Sequence, residues 1–392
     1  MDTQPVNIIS SLRITNNTQN GIMFNPSLAW IIDNFYVLII RNFKRYNDIG
    51  FNNKLPEEYH LNPIFNPQHP WLGGMRSETW WSSTEIDGNI SEVYVIELIN
   101  NEIKYVQHLF TISTLDTRPH KLSTTEYKFI GYELLTLEPE SSLKDGSNCN
   151  DYKCTVIVIN DVSIYYDDNM WKYNITKTQY APCLDKSNRV EKHWSLFKYA
   201  DTYYYSYMLT PQHVIITDNT CDIIYSSNQP KGSNFLEDLK QYYPGSSISL
   251  STQIIEFEHG RYLSVGHFKI PFSLIDDDRI TPFQKWLYEE GKMDECFYVH
   301  SHVYFGFFYI FEAPSLQVTN LSFSFMVDGF VPYPLCFPSG LAYNKQSGRI
   351  TLSYSECDTK AKLLNLSLFE VLNICIDINQ YKPETYPFGI LK

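Results

Sequence analysis

The residues able to do acid–base or ion-pairing chemistry stand where apolar runs begin or end. Asn25 precedes the run 28–32, and Arg41 follows the run 35–40. Glu133 lies in the run 128–137, Lys192 and His193 lead into 194–197, and His267 and Lys269 lie in 262–270. Glu356 and Asp358 follow the run 350–354, and Asp116 sits in a polar stretch before residue 128, read as loop. Carboxylates move protons and accept hydrogen bonds from hydroxyls, while Arg, Lys and protonated His hold phosphate. The mixture suits a hydroxyl-rich or phosphorylated ligand.

Other chemistries are poorly represented. His300 and His302 could share one strand face as a metal pair, but no third ligand is identifiable beside them. The eight Cys include no Cys-x-x-Cys pair, and neither a Gly-x-Ser-x-Gly elbow nor a phosphate-binding Gly-rich loop occurs. No metal and no cofactor is expected. The net charge of -13, with no long Lys/Arg cluster, argues against nucleic acid as a partner. No apolar run is long enough to span a bilayer or to serve as a leader, so a cytoplasmic chain with free thiols and no membrane partner is expected.

Short apolar runs separated by turn residues must position these groups. Residues 191–207 pass from charged groups into a short apolar strand, turn at Asp201-Thr202 and return as an aromatic strand. The same unit recurs with turns near 33, 87, 160, 201, 259 and 347. With 30 Tyr and 24 Phe, the composition favours strands and supplies flat faces for stacking on sugar rings. Helix is expected only around 234–242, in a charged insertion at 276–293, and as a short turn near 372. The stretch 42–75 reads as a long loop, and 1–20 as an irregular N-terminal segment. Repeated hairpins without strand–helix–strand alternation predict an all-β protein. About twenty strands in one domain spanning 1–392 predict a five-bladed β-propeller. Polar residues at the ends of its innermost strands would then converge on a central funnel.

Several short segments, in order along the chain, resemble the five-bladed propellers of the mannoside phosphorylases and related mannosyltransferases. Asn25-Pro26-Ser27 through Arg41 is similar to that family's first-blade strand pair. Glu191-Lys192-His193-Trp194 resembles its Lys-Asn-Trp, and Ser264-Val265-Gly266-His267 its Gly-Val-Gly-His. Phe337-Pro338-Ser339-Gly340-Leu341 and Tyr354-Ser355-Glu356-Cys357-Asp358 resemble its last-blade Pro-Ser-Gly-Leu and Tyr-Gly-x-x-Asp.

The resemblance implies glycosyl transfer, from a sugar nucleotide or to phosphate. Arg41, Lys192, His193, His267 and Lys269 would bind substrate, all but His193 holding phosphate. Asn25 and Asp358 would hold sugar hydroxyls. The family's Glu-Asp-Pro-Arg, whose Asp is the general acid, is matched here to Gly131-Tyr132-Glu133-Leu134-Leu135. Leu134 then stands where the acid belongs, and Leu cannot transfer a proton. Either Asp116 or Glu133 serves in its place, or the chain is a non-catalytic propeller that binds glycan or protein.

Overall fold

The structure is a computed structural model that describes residues 6–7, 22–43, 89–136, 153–181, 194–210, 214–217, 223–226, 235–271, 302–327, 336–356 and 360–391. The chain is mostly β, with its described strands in five sheets. A short strand, β1 (Val6–Asn7), comes first. The first sheet takes β2 (Ile22–Ile32), β3 (Phe35–Phe43), β4 (Asn89–Ile99) and β5 (Glu102–Ile112). The second takes β6 (Leu115–Lys121), β7 (Glu126–Thr136), β8 (Lys153–Asp167) and β9 (Met170–Tyr180). The third takes β10 (Ser195–Tyr199), β11 (Thr202–Met208), β12 (Val214–Thr217) and β13 (Ile223–Ser226).

Helix α1 (Phe235–Tyr242) follows, within the span expected to be helical. The fourth sheet is built on β14 (Ser247–Leu250), β15 (Ile255–Glu258), β16 (Arg261–Pro271), β17 (His302–Glu312), β18 (Gln317–Leu321) and β19 (Ser324–Val327). The fifth holds β20 (Cys336–Asn344), β21 (Arg349–Glu356) and β22 (Lys360–Ser367), with β1 added antiparallel to β22. Thus part of the segment 1–20, expected to be irregular, is strand. Helix α2 (Leu368–Ile374), capped by Ser367 and Glu370, leads to β23 (Ile376–Asp377) and β24 (Phe388–Leu391), which return to the fourth sheet. Residues 42–43, expected to begin the long loop, end β3; the rest of that loop and the insertion at 276–293 lie outside the described residues.

Local turn chemistry sets most hairpins where the turn residues stand. Asp33, Ala200, Asp201, Gly260 and Gly348 have positive φ, which Gly, Asn and Asp adopt most readily. The expected turn at 160–161 does not form. β8 runs straight through it, with the register slip of a bulge between Asp161 and Val162. Both side chains are satisfied across strands, Asn160 Oδ1 accepting from Thr178 Oγ1 (2.8 Å) and Asp161 accepting from Lys128 Nζ (3.2 Å). The turn comes later, at Asp168 and Asn169, both at positive φ.

Apolar faces join the sheets in chain order. Val37, Val95, Tyr127 and Phe129 pack the first on the second, and Ile130, Ile159, Trp194 and Leu196 the second on the third. Phe197 meets Tyr262 and Phe311 of the fourth sheet, whose core continues into Leu341 and Ile350 of the fifth. The fifth returns to the first through Leu28, Ala342 and Leu363. Here a Cβ on Gly340 would lie 2.7 Å from Ser27 Cα, so only glycine allows this approach of β20 to β2.

One short polar segment reaches all five sheets. Ser251, Thr252 and Gln253 connect β14 to β15 and are buried. Ser195 Oγ donates to Thr252 O (2.5 Å) from the third sheet. Gln253 Nε2 donates to Ser27 Oγ (2.9 Å), Leu28 O (3.0 Å) and Pro119 O (3.2 Å) of the first and second sheets. Its Oε1 accepts from Leu341 N (3.0 Å) of the fifth. Truncating this side chain leaves a buried N–H and several carbonyls without their partner, each costing about 1–3 kcal/mol. Gln253→Ala is therefore expected to lose about 3 kcal/mol or more, read as a lower urea midpoint, while Gln346→Ala on an exposed turn changes it by less than about 0.5 kcal/mol.

Candidate functional site

The site begins with two irregular strands. β2 slips register between Phe24 and Ser27, and β6 between Leu115 and Arg118. Each slip carries a residue in left-handed backbone, Asn25 at φ 48° and Asp116 at φ 46°. Asn and Asp tolerate this conformation better than other side chains, and a bulge re-aims the side chain it carries. Asp116 is therefore a strand residue, not the loop residue expected. Around it, Ser91 Oγ donates to Thr114 O (2.6 Å) and Thr114 Oγ1 bonds Thr117 Oγ1 (2.8 Å), fixing the strand's entry.

Three donors converge on the Asp116 carboxylate. Oδ1 accepts from Asn25 Nδ2 (2.8 Å) and from Arg41 Nη1 (3.2 Å), and Oδ2 accepts from the Tyr132 hydroxyl (3.0 Å). Arg41 is 6% exposed and Asp116 10%, so the ion pair is largely shielded from water. Burial, then the Asp116 charge, raise the Tyr132 phenol, which stays a proton donor. Asn25 is itself held by the fifth sheet, its N–H donating to Ser355 Oγ (2.5 Å) and its Oδ1 accepting from the same hydroxyl (2.9 Å). Ser339 and Ser353 both donate to Pro26 O, at 2.5 and 2.6 Å. The segment 25–27 thus contacts both β20 and β21 of the fifth sheet.

A second cation lies deeper. Arg118 is buried two residues along β6, and burial pulls its guanidinium down to about 10, still charged at neutral pH. Burial, then the charges of Lys269 and Arg118, hold the His267 imidazole well below its ordinary range. The direction of that shift leaves His267 neutral where it is buried. Its Nδ1 bonds Ser251 Oγ (2.6 Å), and its ring lies beside Tyr304 (5.9 Å) and Phe337 (5.2 Å). Lys269 lies over the same Tyr304 ring, 4.8 Å from its centroid.

Glu133 is not brought to Asp116. Neighbouring strand residues alternate faces. Tyr132 meets Asp116, while Glu133 accepts from Ser113 Oγ (2.8 Å) and Tyr180 OH (3.1 Å). Lys192, His193, Asp358 and His300 lie outside the described residues, as does the Leu134 side chain. Among the described residues no group of His, Cys, Asp and Glu could hold a metal ion.

Sequence reasoning passed over Tyr132, Arg118 and Ser355. For Arg118 a signal was present, because Asp116-Thr117-Arg118 keeps the Asp-x-Arg spacing of the Glu-Asp-Pro-Arg motif. That spacing would match the motif to β6, without reference to position 134.

No protein-family model matches the chain, and no curated protein does. Among solved structures it is similar to a GDP-Man-dependent mannosyltransferase, MPT-1, from Leishmania mexicana, at 11% identity over 92% of this chain and 93% of that one, with a TM-score of 0.43. It is similar to MPT-4, a mannose phosphorylase of the same organism solved with phosphate ion, at 12% identity, covering 95% and 96% of the two chains, TM-score 0.42. A glycosyl hydrolase from Bacteroides ovatus matches at 11% identity over 89% of this chain and 85% of that one, TM-score 0.45. These neighbours are carbohydrate-active proteins.

Removing one member of a shielded ion pair is costly, about 3–5 kcal/mol. Asp116→Ala is expected to lose stability of that order in urea denaturation. Asp116→Asn, which keeps the shape, and Tyr132→Phe, which loses one hydrogen bond, are expected to lose less, about 1 kcal/mol for the latter.

Proposed function

We propose that the five sheets are the blades of one five-bladed propeller, and that the end carrying Asp116 is a carbohydrate site catalysing glycosyl transfer. Supporting the propeller are the contacts in chain order, the return of the fifth sheet to the first, and the segment 251–253 that touches every sheet. The observation that carries the functional reading is the Asp116 carboxylate, which two bulged strands and three donors hold at one end of the innermost strands.

In this reading Asp116 exchanges the proton that glycosyl transfer requires at the glycosidic or attacking oxygen. Arg41 and Asn25 orient its carboxylate, and Tyr132 donates to the oxygen they leave. Lys269 binds the phosphate of a sugar phosphate or sugar nucleotide, with Tyr304 and Phe337 as ring faces for the sugar. Lys192, His193 and Asp358 complete the site. Glu133 is outside it, and a leucine at position 134 removes nothing from it.

A second reading rests on the same three bonds. A carboxylate already engaged by three protein donors also suits a structural role, and the chain would then bind glycan without turning it over. Phosphorolysis of β-mannosides and mannosyl transfer from GDP-mannose, followed by chromatography of the products, separate the two. Under the catalytic reading the native protein turns over one of these, Asp116→Asn loses about 100-fold or more, and Glu133→Gln stays within a few-fold. No turnover, with a melting-temperature rise on adding mannosides, decides for the binding reading.

A further inference from the structure

The innermost strands have a second end. β2 runs from Asn25 to Trp30 and β6 from Asp116 to Lys121 in the same sense, because Asn25 meets Asp116 and Lys121 Nζ donates to Ile31 O (2.5 Å). The five steps along the strand from Asp116 to Lys121 span about 17 Å. Gln253, on Leu28, Pro119 and Leu341, lies between the two ends. At the Lys121 end a cavity of about 470 Å³ opens, a size at which small organic ligands are bound. Its walls include Trp30, Lys121, Tyr203 and Leu341 from four sheets, Ile254 from the β14–β15 connection of the remaining one, and Lys345 from the β20–β21 turn.

The charges on these walls are unequal. Lys198 is taken by Asp201 (2.8 Å). Glu256 accepts from the Gly260 N–H (3.0 Å), with exposed His259 at 3.8 Å. The buried His120 is neutral, its imidazole pulled down to about 3 by burial and by Arg118. Lys121 and Lys345 remain. Among the described residues no carboxylate pairs with either, and Lys121 rests on a backbone carbonyl and on the Trp30 ring, 4.3 Å from its centroid. Burial and the neighbouring Lys345 charge pull the Lys121 ammonium down to about 8. Two like charges in a mostly apolar cavity favour an anion between them.

We propose that this cavity is a second ligand site, separate from the Asp116 end, that takes a small organic anion. Its phosphate or carboxylate head lies between Lys121 and Lys345, and its apolar body rests on Tyr203, Ile254 and Leu341. The proposal is independent of whether the Asp116 end is catalytic.

Titration calorimetry on the whole chain tests it with phenyl phosphate, benzoate and neutral phenyl glucoside as probes. Phenyl phosphate or benzoate is expected to bind at pH 7, and the one that binds more tightly identifies the head group. Phenyl glucoside is expected to bind at least tenfold more weakly. Lys121→Met and Lys345→Met are each expected to weaken anion binding about tenfold or more, and Lys269→Met at the other end to leave it unchanged. Raising the pH from 7 to 9 takes Lys121 through its titration near 8, and the lost charge is expected to weaken binding up to about tenfold. No binding of either anion, or binding indifferent to both Lys→Met changes, overturns the proposal. So does binding abolished by Lys269→Met, which would place the anion at the Asp116 end. Lys345→Met keeps the test valid if Lys121→Met does not fold, because Lys345 is exposed.

Discussion

The arrangement of the sheets depends on one buried amide. Gln253 donates to two sheets and accepts from a third, while its neighbour Thr252 accepts from a fourth. Where several sheets meet edge-on, their innermost strands have backbone groups with no strand to pair them, and a buried unpaired group is costly. A primary amide suits such a place, because it offers two donors and an acceptor on a small planar group. The segment 251–253 is in turn tied to its own sheet, Val265 N–H donating to Thr252 Oγ1 (3.0 Å). The same contact makes the two ends of the innermost strands chemically distinct, since Gln253 and its partners occupy the space between them.

At one end the backbone departs from regular strand. β2, β6 and β20 each slip register near their starts, β20 between Pro338 and Gly340. Left-handed backbone at Asn25 and Asp116 is a local cost, offset by what the re-aimed side chains reach. Asn25 reaches both Asp116 and Ser355, so one side chain ties the first sheet to the second and the fifth. The polar cluster is therefore part of the joint between sheets as well as a candidate site. Segments 25–27 and 337–341 carry their residues for the same reason: Ser339 and Gly340 are what allow β20 to sit directly on β2.

Charge is distributed against the overall balance. The chain carries a net charge of -13, yet both ends of the inner strands carry cations: Arg118 on β6 with Arg41 and Lys269 on the neighbouring strands β3 and β16 toward one end, and Lys121 on β6 with Lys345 in the β20–β21 turn toward the other. Arg118 is buried, and burial, with the Arg118 charge adding to it, keeps both His120 and His267 neutral. A buried guanidinium keeps its charge where an imidazole or ammonium gives up its proton, because its intrinsic basicity is far higher.

The sequence by itself determined the all-β class and most hairpins, including those turning at Asp33, Asp201, Gly260 and Gly348, because alternation and turn residues act over a few positions. It also picked out Asn25, Arg41 and Asp116. It misread Asn160-Asp161, because only the strands on either side of β8 reveal that those polar side chains are satisfied across the sheet. It set Glu133 beside Asp116 as a candidate, because order along the chain does not show the bulge in β6 that turns the Asp116 side chain onto Tyr132 and away from Glu133. His267 read as a cation until burial and Arg118 made it neutral. Gln253 passed unnoticed, since its partner Ser27 is 226 residues away and nothing in a Ser-Thr-Gln segment marks it as the place where the sheets meet. Interactions closed within a hairpin can be read from order along the chain, whereas those closed between sheets exist only once the sheets are assembled.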